Sequence, residues 1–411
     1  MTTTPQGNRL HVGIFGETNA GKSSLFNALI GTDTSIVSRE SGTTTDHVQK
    51  ALELVPFGPI VLIDTAGLGD KTSLGRQRME KTQAVLDRID FAIYVVEATG
   101  EPGPMYEEFK NRLKARQTPH LLVLTKCDTG GSLIDTGGSV IDTRLAVSVH
   151  QKDTIKRLRQ ALVEALSELK GDADSSSLSL LGGLLPAGST VLMVMPVDSA
   201  APKGRLILPQ AQLIRDCLDN GFMAYSVTEK EIAQALANIK KVDLVVTDSQ
   251  VFGLVAESVP KDIMLTSFSI LMTRQKARND MQVLIDGINA IKAHKLKDND
   301  KILIAESCTH TRTHEDIGQV KIPAALRKIT GKDFEIKFTA GRDYPADVSE
   351  YALIIHCGAC MITQREMQNH IDLAKKANVP ITNYGLFLAH ASGILDRSTE
   401  IFKYSRYLSI G

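Results

Sequence analysis

Three cysteines late in the chain have the residue type and spacing of a metal site. They stand in two short segments, Cys308-Thr-His310 and His356-Cys357-Gly-Ala-Cys360. A structural zinc site usually takes four protein ligands, and a cubane iron–sulfur cluster takes four thiolates. Three thiolates therefore leave one coordination position for a weaker or exchangeable ligand. His310 or His356 would complete a zinc site of three cysteines and one histidine, so the spacing alone leaves zinc and iron both open.

A phosphate-binding loop lies near the amino terminus. The segment from Gly16 to Ser23 reads G-E-T-N-A-G-K-S between an apolar run and a helical pattern, which is the context that this motif requires. Its backbone N–H groups and the start of the helix bind phosphates. We expect Lys22 to reach the β- and γ-phosphates and act in catalysis, and Ser23 to bind Mg²⁺. The predicted nucleotide-binding residues of this loop are Gly16, Asn19, Gly21, Lys22, Ser23 and Ser24.

Two further segments are typical of a nucleotide switch. Asp64-Thr-Ala-Gly67 ends an apolar run, where Asp64 would hold Mg²⁺ through water and the Gly67 N–H would sense the γ-phosphate. Gly42-Thr-Thr-Thr-Asp46 lies at the spacing of a switch loop. Thr44, or its neighbour Thr43, would complete the Mg²⁺ shell only while the γ-phosphate is present, which gives Thr44 a catalytic role.

A fourth segment predicts guanine over adenine. Thr125-Lys126-Cys127-Asp128 resembles the N-K-x-D motif of GTPases, with Thr125 in the place of the asparagine. The carboxylate of Asp128 would accept two hydrogen bonds from guanine, and adenine offers no such donor pair. Ser148 lies in the loop whose backbone would close on the base. The sequence therefore predicts a GTP site with Thr125, Lys126, Asp128 and Ser148 around the guanine.

Composition limits the class of protein. Lys plus Arg number 47 and Asp plus Glu number 47 in 411 residues, so the chain lacks the basic excess of most nucleic-acid binders. Five cysteines fit a reducing compartment better than a disulfide framework. The start of the chain has no apolar signal segment, and no run reaches the ~20 apolar residues of a membrane span. We expect a cytoplasmic protein with neither a nucleic acid nor a membrane as partner.

The elements that position these residues form an α/β pattern. Short buried runs alternate with helical periodicity over the first part of the chain, which predicts a parallel sheet covered by helices. A stripe on Lys152–Leu169 closes that unit, and two smaller units of the same kind follow. Predicted strands lie at 11–15, 59–63, 91–97, 120–124, 145–149, 191–197, 242–247, 301–305 and 351–355. Predicted helices lie at 21–30, 152–169, 211–220, 228–239, 273–293 and 364–377.

The predicted fold class is α/β, with a P-loop GTPase domain followed by two smaller α/β domains. We place their boundaries at 1–170, 171–260 and 261–411. The segment 171–188, rich in Ser, Gly and Asp, reads as a linker or a small packing segment. Two cysteines, Cys127 and Cys217, are predicted to be packing residues and not ligands.

The nucleotide motifs resemble those of the tRNA-modification and Era group of GTPases. In that group an asparagine at the position of Asn19 coordinates K⁺ beside the phosphates. Leu68 stands where Ras-like enzymes carry a water-orienting glutamine. The resemblance implies slow hydrolysis of GTP that K⁺ stimulates.

The whole arrangement, a GTPase domain followed by C-x-H and H-C-x-x-C segments, resembles the FeFe-hydrogenase maturation GTPases along essentially the full chain. The resemblance implies a 4Fe–4S cluster on Cys308, Cys357 and Cys360 with an exchangeable fourth ligand. It also implies a dimerisation domain in the middle, a homodimer, and a transient diiron precursor that the protein carries to apo FeFe-hydrogenase. Radical-SAM maturases would be the upstream partners.

The fourth cluster ligand is a separate question. Asp198 follows a predicted strand, and the middle domain of this family offers a carboxylate in such a segment, so Asp198 is the first choice. His310 and His356 are alternative ligands, or else groups that hydrogen-bond to the cluster or its cargo. Glu306 and Asp248 also end strands and are further candidates.

Two other functions fit parts of the sequence. The GTPase domain alone permits an RNA- or ribosome-associated GTPase with a structural zinc, although the neutral charge counts against it. A redox sensor, in which the state of a cluster controls the GTPase, is the third hypothesis.

Overall fold

The computed structural model divides the chain into two compact units, Met1–Asp174 and Ser175–Gly411. Each unit is described here by itself. The structure describes residues 6–31, 48–65, 67, 82, 84–98, 102–127, 144–172, 179–197, 204, 206–292, 295–307, 317–341 and 343–408.

The first unit contains a six-stranded sheet in the order β2-β3-β1-β4-β5-β6. All neighbours are parallel except β2, which runs antiparallel to β3 at the edge. The sequence pattern did not predict β2, because only its last residues are buried. The strands are β1 (Leu10–Gly16), β2 (Val48–Leu54), β3 (Gly58–Asp64), β4 (Phe91–Glu97), β5 (His120–Thr125) and β6 (Arg144–Val147). The described helices are α1 (Lys22–Gly31), α2 (Pro104–Ala115) and α3 (Lys152–Asp172).

Burial of apolar stripes fixes these helices on the sheet. The stripe predicted on α3 is confirmed, since Ile155, Leu158, Leu162 and Leu166 are buried in one core with the strands. Strand order reverses beside β1, whose neighbours are β3 and β4. Ligands of open α/β sheets bind at such a reversal, outside the carboxyl ends of the strands. The loop after β1 is therefore where a nucleotide is expected.

The second unit begins with a four-stranded parallel sheet in the order β10-β9-β7-β8. Only β7 and β9 were predicted from sequence. The half-exposed β8 and the short β10 lack a sustained apolar run, which is why the pattern missed them. The strands are β7 (Thr190–Val194), β8 (Met223–Val227), β9 (Leu244–Thr247) and β10 (Met264–Ser267). The helices along it are α4 (Leu208–Asp219), α5 (Ile232–Asn238) and α6 (Phe252–Ser258), with a 3₁₀ turn at Ser249–Val251.

A second four-stranded parallel sheet follows in the order β12-β11-β13-β14. Counted along the chain, both sheets have the order second, first, third, fourth, so the similarity of the two units extends to topology. The strands are β11 (Lys301–Glu306), β12 (Glu335–Ala340), β13 (Leu353–His356) and β14 (Ile381–Asn383). The helices are α7 (Phe268–Ala277), α8 (Met281–Gly287), α9 (Asn289–Lys292), α10 (Ile322–Thr330), α11 (Gln364–Lys376), α12 (Tyr384–Ala391) and α13 (Leu395–Leu408).

The long helix predicted at 273–293 is wrong. The chain there forms the end of α7, a 3₁₀ turn at Arg278–Asp280, and the short helices α8 and α9. Arg278 has a φ of +49°, which a continuous α-helix does not allow. Gly287 ends α8 against the carbonyl of Ile381, in a space that admits no side chain. Close packing on β14 therefore overrides the helical propensity of this segment.

The segment predicted as a linker is packed where the structure describes it, from residue 179 onward. Leu180, Leu181 and Leu184 are buried in a core with α4 and α7. Asp216 accepts hydrogen bonds from the amides of Leu180 and Leu181, at 2.9 and 2.8 Å. Arg274 donates to the carbonyl oxygens of residues 179, 180 and 182 at 3.1, 3.0 and 3.2 Å. Of the two sequence interpretations, the packing segment is the correct one from residue 179.

The carboxyl ends of the two sheets of the second unit meet. Asn383, at the end of β14, donates to Thr273 Oγ1 of α7 at 2.7 Å. Lys321, beyond β11, donates to Gln250 beyond β9 at 2.7 Å. One hydrophobic core includes residues of both sheets, among them Leu192 and Ile302. Loops that leave either sheet at its carboxyl end therefore share one region. Within the described residues, no helix is both long and apolar enough to cross a membrane.

Candidate functional site

The loop after β1 has the conformation that phosphate binding requires. Gly16, Asn19 and Gly21 have φ values of +145°, +64° and +92°, so the backbone turns sharply from β1 into α1. A side chain at position 16 would collide with the carbonyl oxygen of Val95. Asn19 and Ser24 are exposed at the loop and in the first turn of α1. The backbone N–H groups of this turn and of the helix start form the anion site.

Lys22 is folded onto this loop. Its Nζ donates to the carbonyl oxygens of Gly16 and Glu17, at 3.0 and 2.6 Å. Burial lowers the pKa of Lys22, while the carboxylates of Asp64 and Glu17 oppose that effect. The ammonium group is thus held where phosphate oxygens can replace the two carbonyls.

Ser23 and Asp64 are brought together as the magnesium motif requires. Ser23 Oγ donates to Asp64 Oδ2 at 2.7 Å, which joins the start of α1 to the end of β3. These two side chains would hold Mg²⁺ in a P-loop site. Gly67 lies against the loop as well, because a side chain there would come within 2.6 Å of Thr18 Oγ1. The close approach of Gly67 is what a γ-phosphate contact from its amide needs.

Thr125, which stands in the place of the asparagine of the guanine motif, contacts the phosphate loop. Its hydroxyl donates to the carbonyl of Ala20 in the phosphate loop at 2.6 Å, and Val96 O lies 3.2 Å away. A hydroxyl carries a single proton, so the shorter contact is the one it makes. Lys126, with a φ of +60°, pairs with Glu97 at 3.0 Å. The Thr125 hydroxyl therefore connects the guanine loop to the phosphate loop by a hydrogen bond.

Ser148 is buried and holds its own loop in shape. The Ser148 amide donates to Thr154 Oγ1 at 3.1 Å. Thr154 Oγ1 donates in turn to the Ser148 carbonyl oxygen at 2.7 Å. The backbone after β6 is thus fixed for contact with a base. Cys127 donates from Sγ to the carbonyl of Leu124 at 3.2 Å, which fits local packing. Cys217 is also buried, in the core with α7, so both cysteines predicted to pack do so.

Seven sequence-predicted positions lie outside the described residues. These are Thr43, Thr44, Leu68, Asp128, Asp198, Cys308 and His310.

The second candidate site follows β13. Cys357 is buried and Cys360 partly buried in the loop beyond this strand, and both are free thiols. Ser307, at the end of β11, donates its backbone N–H to Cys357 Sγ at 3.1 Å, and its hydroxyl oxygen lies 3.2 Å from the same sulfur. Ser307, the last described residue before Cys308, therefore contacts the second predicted cysteine segment.

The environment of the two thiols differs. Burial raises the pKa of Cys357, but hydrogen bonds and charge from His356, with hydrogen bonds from Ser307 and the Ala359 amide, lower it to a net value of about 7. Burial and the neighbouring Cys357 raise the pKa of Cys360 to about 11, against an opposing charge from Lys276. Ala359 has a φ of +57°, which turns its amide into the loop. Cys357 therefore has more thiolate character than Cys360 at neutral pH.

Both ring nitrogens of His356 have hydrogen-bond partners. Its Nδ1 lies 3.0 Å from the carbonyl oxygen of Cys357, and its Nε2 lies 3.0 Å from Nδ1 of His370. Tyr344 stacks on His370, with ring centroids 3.6 Å apart and planes 7° from parallel. Sequence reasoning missed His370 and Tyr344. The available signal was weak: His370 lies on the apolar stripe of α11, with Met367, Ile371 and Ala374.

The two other strand-end carboxylates have partners in the fold. Glu306 accepts a hydrogen bond from the hydroxyl of Tyr384 at 3.1 Å. Asp248 accepts one from Nε2 of the buried Gln210 at 3.1 Å. Both are engaged in holding loops, which makes either a weaker candidate for a metal ligand.

The thiols that the structure describes at this site, Cys357 and Cys360, fit either an iron–sulfur cluster or a zinc ion. Within the described residues, no group of three or more His, Cys, Asp or Glu side chains is arranged to hold a metal. Cys357 and Cys360 supply two sulfurs from one turn, and the amide next to position 308 already contacts the first sulfur. A third sulfur at position 308 would complete the set that the sequence predicts.

Comparison with known proteins agrees with a GTPase site in the first unit. The 50S ribosome-binding GTPase family model matches residues 11–126. Among curated proteins, tRNA modification GTPase MnmE of Ralstonia nicotianae is 31% identical over 163 residues, 38% of this chain and 34% of that protein. GTPase Der of Kosmotoga olearia is 40% identical over 95 residues, 22% of this chain and 21% of that protein. The chain thus spans about a third or less of the length of these relatives.

A solved structure of translation elongation factor SelB from Methanococcus maripaludis, in complex with the GTP analogue GPPNHP, aligns with a TM-score of 0.30. It is 19% identical and covers 41% of this chain and 35% of that chain.

The first unit is a P-loop GTPase domain, whose ligands are GTP and Mg²⁺. The second unit matches two further family models, the hydrogen maturase F dimerization domain over residues 180–277 and the hydrogen maturase F tetramerization domain over residues 282–401. With both models in sequence behind a GTPase domain, the chain belongs to the hydrogen maturase F family.

Proposed function

We propose that this chain is a GTP-hydrolysing scaffold that binds a 4Fe–4S cluster, carries the diiron precursor of the FeFe-hydrogenase active site, and transfers it to apo-hydrogenase. Membership of the hydrogen maturase F family and the GTPase domain support this role. Radical-SAM maturases would supply the precursor. In this proposal 1–170 is the G domain, 171–260 the dimerisation domain and 261–411 the cluster-binding domain.

One observation supports the cluster more than any other. The amide of Ser307 lies 3.1 Å from the sulfur of Cys357, although 50 residues separate them in the chain. Backbone N–H donors to a ligating sulfur stabilise its negative charge and tune the metal it binds. The contact supports the proposal because Ser307 is the residue before Cys308 in the sequence. Two cysteines that only pack in the core would not require a third cysteine that follows another strand.

When bound, the cluster supplies one iron whose fourth position is exchangeable. The chain's own groups favour the thiolate of Cys357: the Ser307 amide donates to its sulfur, and the charge of the adjacent His356 ring stabilises it. The burial of Cys357 excludes water from that sulfur. A ligand set held by three thiolates stays in place while the fourth ligand leaves.

Asp198 is the proposed fourth ligand. It comes four residues after the end of β7, and the carboxyl ends of the two sheets of the second unit meet. A loop from the carboxyl end of β7 therefore starts at the same ends of the sheets as the loops that follow β11 and β13. A carboxylate binds cluster iron less strongly than a thiolate, so an incoming ligand could displace it. His310 remains an alternative.

In the G domain, Lys22 and Thr44 are proposed to stabilise the transferred γ-phosphoryl group, with Ser23 and Asp64 holding Mg²⁺. Asn19 is proposed to bind K⁺, which would stimulate hydrolysis. Asp128 and Ser148 would select guanine. We expect hydrolysis to be regulatory, altering domain arrangement or partner release, and not to supply chemistry to the iron site. A Ser23→Ala chain loaded with precursor tests this: normal activation of apo-hydrogenase would show that cargo transfer itself does not require hydrolysis.

The proposed homodimer forms through the edge of the first sheet of the second unit. β8 is an edge strand, and Met223 and Tyr225 on it are 51% and 43% exposed. An uncovered parallel edge with exposed apolar side chains is a template for pairing with another chain. The match to a dimerization domain over these residues supports this surface.

Metal analysis tests the proposal. Anaerobically purified chain reconstituted with iron and sulfide should contain about four iron and four acid-labile sulfide ions per chain, and an axial or rhombic paramagnetic signal should appear on reduction. Cys127→Ser is the matched control, since Cys127 packs in the G domain. Stoichiometric zinc without sulfide would contradict the proposal.

That contrary result would favour the alternative function, an RNA- or ribosome-associated GTPase with a structural zinc. The similarity of the first unit to a ribosome-binding GTPase model and to MnmE is what keeps this alternative open. The two hydrogen maturase F models over 180–401 weigh against it.

A further inference from the structure

His356 stands directly before the first cysteine of the C-x-x-C turn, which makes it a candidate cluster ligand. The structure shows what each of its ring nitrogens does. Nδ1 faces the backbone carbonyl of Cys357 at 3.0 Å, and Nε2 faces Nδ1 of His370 at 3.0 Å. Both rings are buried, at 1% and 9% exposure. A histidine can ligate iron only through a nitrogen lone pair, so the engagement of both nitrogens decides its role.

The direction of these hydrogen bonds follows from the partners. A carbonyl oxygen only accepts, so Nδ1 of His356 carries a proton and donates. If His356 is neutral, its Nε2 accepts from the N–H of His370. If His356 is protonated, its Nε2 donates to His370 instead. In either state neither nitrogen of His356 offers a lone pair to iron.

His370 depends in turn on Tyr344. The phenol ring lies parallel to the imidazole at 3.6 Å and thereby fixes the rotation of the His370 ring. The hydroxyl of Tyr344 is buried without a hydrogen-bond partner among the described residues. The part of Tyr344 that the site uses is therefore its ring, and this allows the stacking to be tested separately from the hydroxyl.

We infer that His370, oriented by Tyr344, is a positioning residue of the cysteine site: it occupies Nε2 of His356, so that His356 holds the Cys357 backbone and does not ligate the cluster. This inference rests on the proposed iron–sulfur function for its spectroscopic test, but the hydrogen bonds themselves belong to the protein without metal. It leaves the fourth position of the cluster to a group from another segment.

The first experiment needs no cluster. Full-length protein, reduced and metal-free, is labelled with nitrogen-15 in its histidine rings, and His356→Asn and His370→Asn assign the signals. We expect Nδ1 of His356 to carry a proton and its Nε2 signal to change in His370→Ala. An Nδ1 of His356 without a proton would overturn the inference, whatever metal the protein binds.

The second experiment uses chain reconstituted anaerobically with iron and sulfide. An asparagine amide can replace Nδ1 of His370 as a hydrogen-bonding group, whereas alanine cannot. We expect His370→Ala and Tyr344→Ala to shift the reduction potential and the paramagnetic spectrum, and His370→Asn and Tyr344→Phe to retain the wild-type values. Thermal unfolding of all four variants shows whether a variant is folded.

Two results of this second experiment would overturn the inference. One is a directly bound histidine nitrogen in the pulsed spectrum of the wild-type cluster that His356→Asn abolishes. The other is a His370→Ala cluster with wild-type spectrum and potential. Failure of the proposed function is a different result, namely wild-type chain that takes up no iron and sulfide, and the nitrogen-15 experiment still decides the positioning role in that case.

Discussion

The nucleotide site and the cysteine site both lie at carboxyl ends of parallel strands, yet different parts of the chain form them. The nucleotide site is largely backbone: three positive φ angles within one loop present its N–H groups, and Lys22 and Ser23 follow directly. The cysteine site is made of side chains from distant segments, tied by Ser307 and backed by the His356–His370–Tyr344 contacts. The comparison teaches that a contiguous backbone site identifies itself in sequence, whereas a site of converging side chains depends on partners that no motif contains.

The largest difference should follow from removing one sulfur. Cys357→Ser replaces a ligand whose pKa is about 7 with a hydroxyl that stays protonated and neutral. We expect loss of the cluster, read as iron and sulfide content, with GTP hydrolysis by the G domain retained. A Cys357→Ser chain that binds a full complement of iron and sulfide would break the distinction between the two sites.

Lys22→Ala tests the other site in the same way. The ammonium group lies over the phosphate loop, and removal of one charged donor to a transferred group costs about 10²–10³-fold in rate. GTP hydrolysis should fall by that order while iron and sulfide content stays at the wild-type level. Lys126→Ala, which removes the exposed ion pair with Glu97 in the guanine motif, is the variant to compare with Lys22→Ala.

The two cysteines of the C-x-x-C turn should differ in reactivity when the protein holds no metal. Thiolates react and thiols do not, so alkylation of Cys357 should rise as pH passes through about 7, whereas Cys360 should require a pH near 11. Because a less basic thiolate is also a weaker nucleophile, the preference at neutral pH is on the order of 10²-fold. Timed alkylation and peptide mass spectrometry at several pH values measure it. Equal rates at pH 7 would show that the hydrogen bonds from Ser307 and His356 do not act on Cys357.

The smallest effect concerns Thr125. Thr125→Val removes the hydroxyl that ties the guanine loop to Ala20, and the loss of one buried hydrogen bond of about 1 kcal/mol should weaken GTP binding about five- to tenfold. Thr125→Asn should bind GTP at least as tightly as the wild type, since it restores the residue usual at this place. Calorimetry with a non-hydrolysable GTP analogue distinguishes them. Equal affinities of the valine variant and the wild type would show that the tie is dispensable.

Particular residues show how far sequence alone could go. The strand–loop–helix around Lys22 was predictable because its motif and its flanking periodicity agree. β2, β8 and β10 were not, because half-exposed or very short strands carry no sustained apolar run. The helix predicted at 273–293 failed where Gly287 packs onto β14, a tertiary contact that propensity does not encode.

At the cysteine site the sequence predicted which sulfurs bind the metal but not which groups contact them. Ser307 stands one residue from a predicted ligand and was passed over, since its amide acts through a contact across two strands. His370 is hidden in an apolar helix stripe, where a histidine reads as core. Thr125 was interpreted as a weakening of the guanine motif, and the fold shows that its hydroxyl hydrogen-bonds to Ala20 of the phosphate loop.

The most direct measurement is transfer of the cargo. Wild-type chain carrying both the cluster and the diiron precursor is mixed anaerobically with apo FeFe-hydrogenase, and hydrogen evolution is followed, with Cys357→Ser chain treated identically. We expect activation by the wild type and none by the variant. A wild-type chain with full iron and sulfide content that never activates the apo-enzyme would contradict the proposal that this protein is a carrier of the hydrogenase precursor.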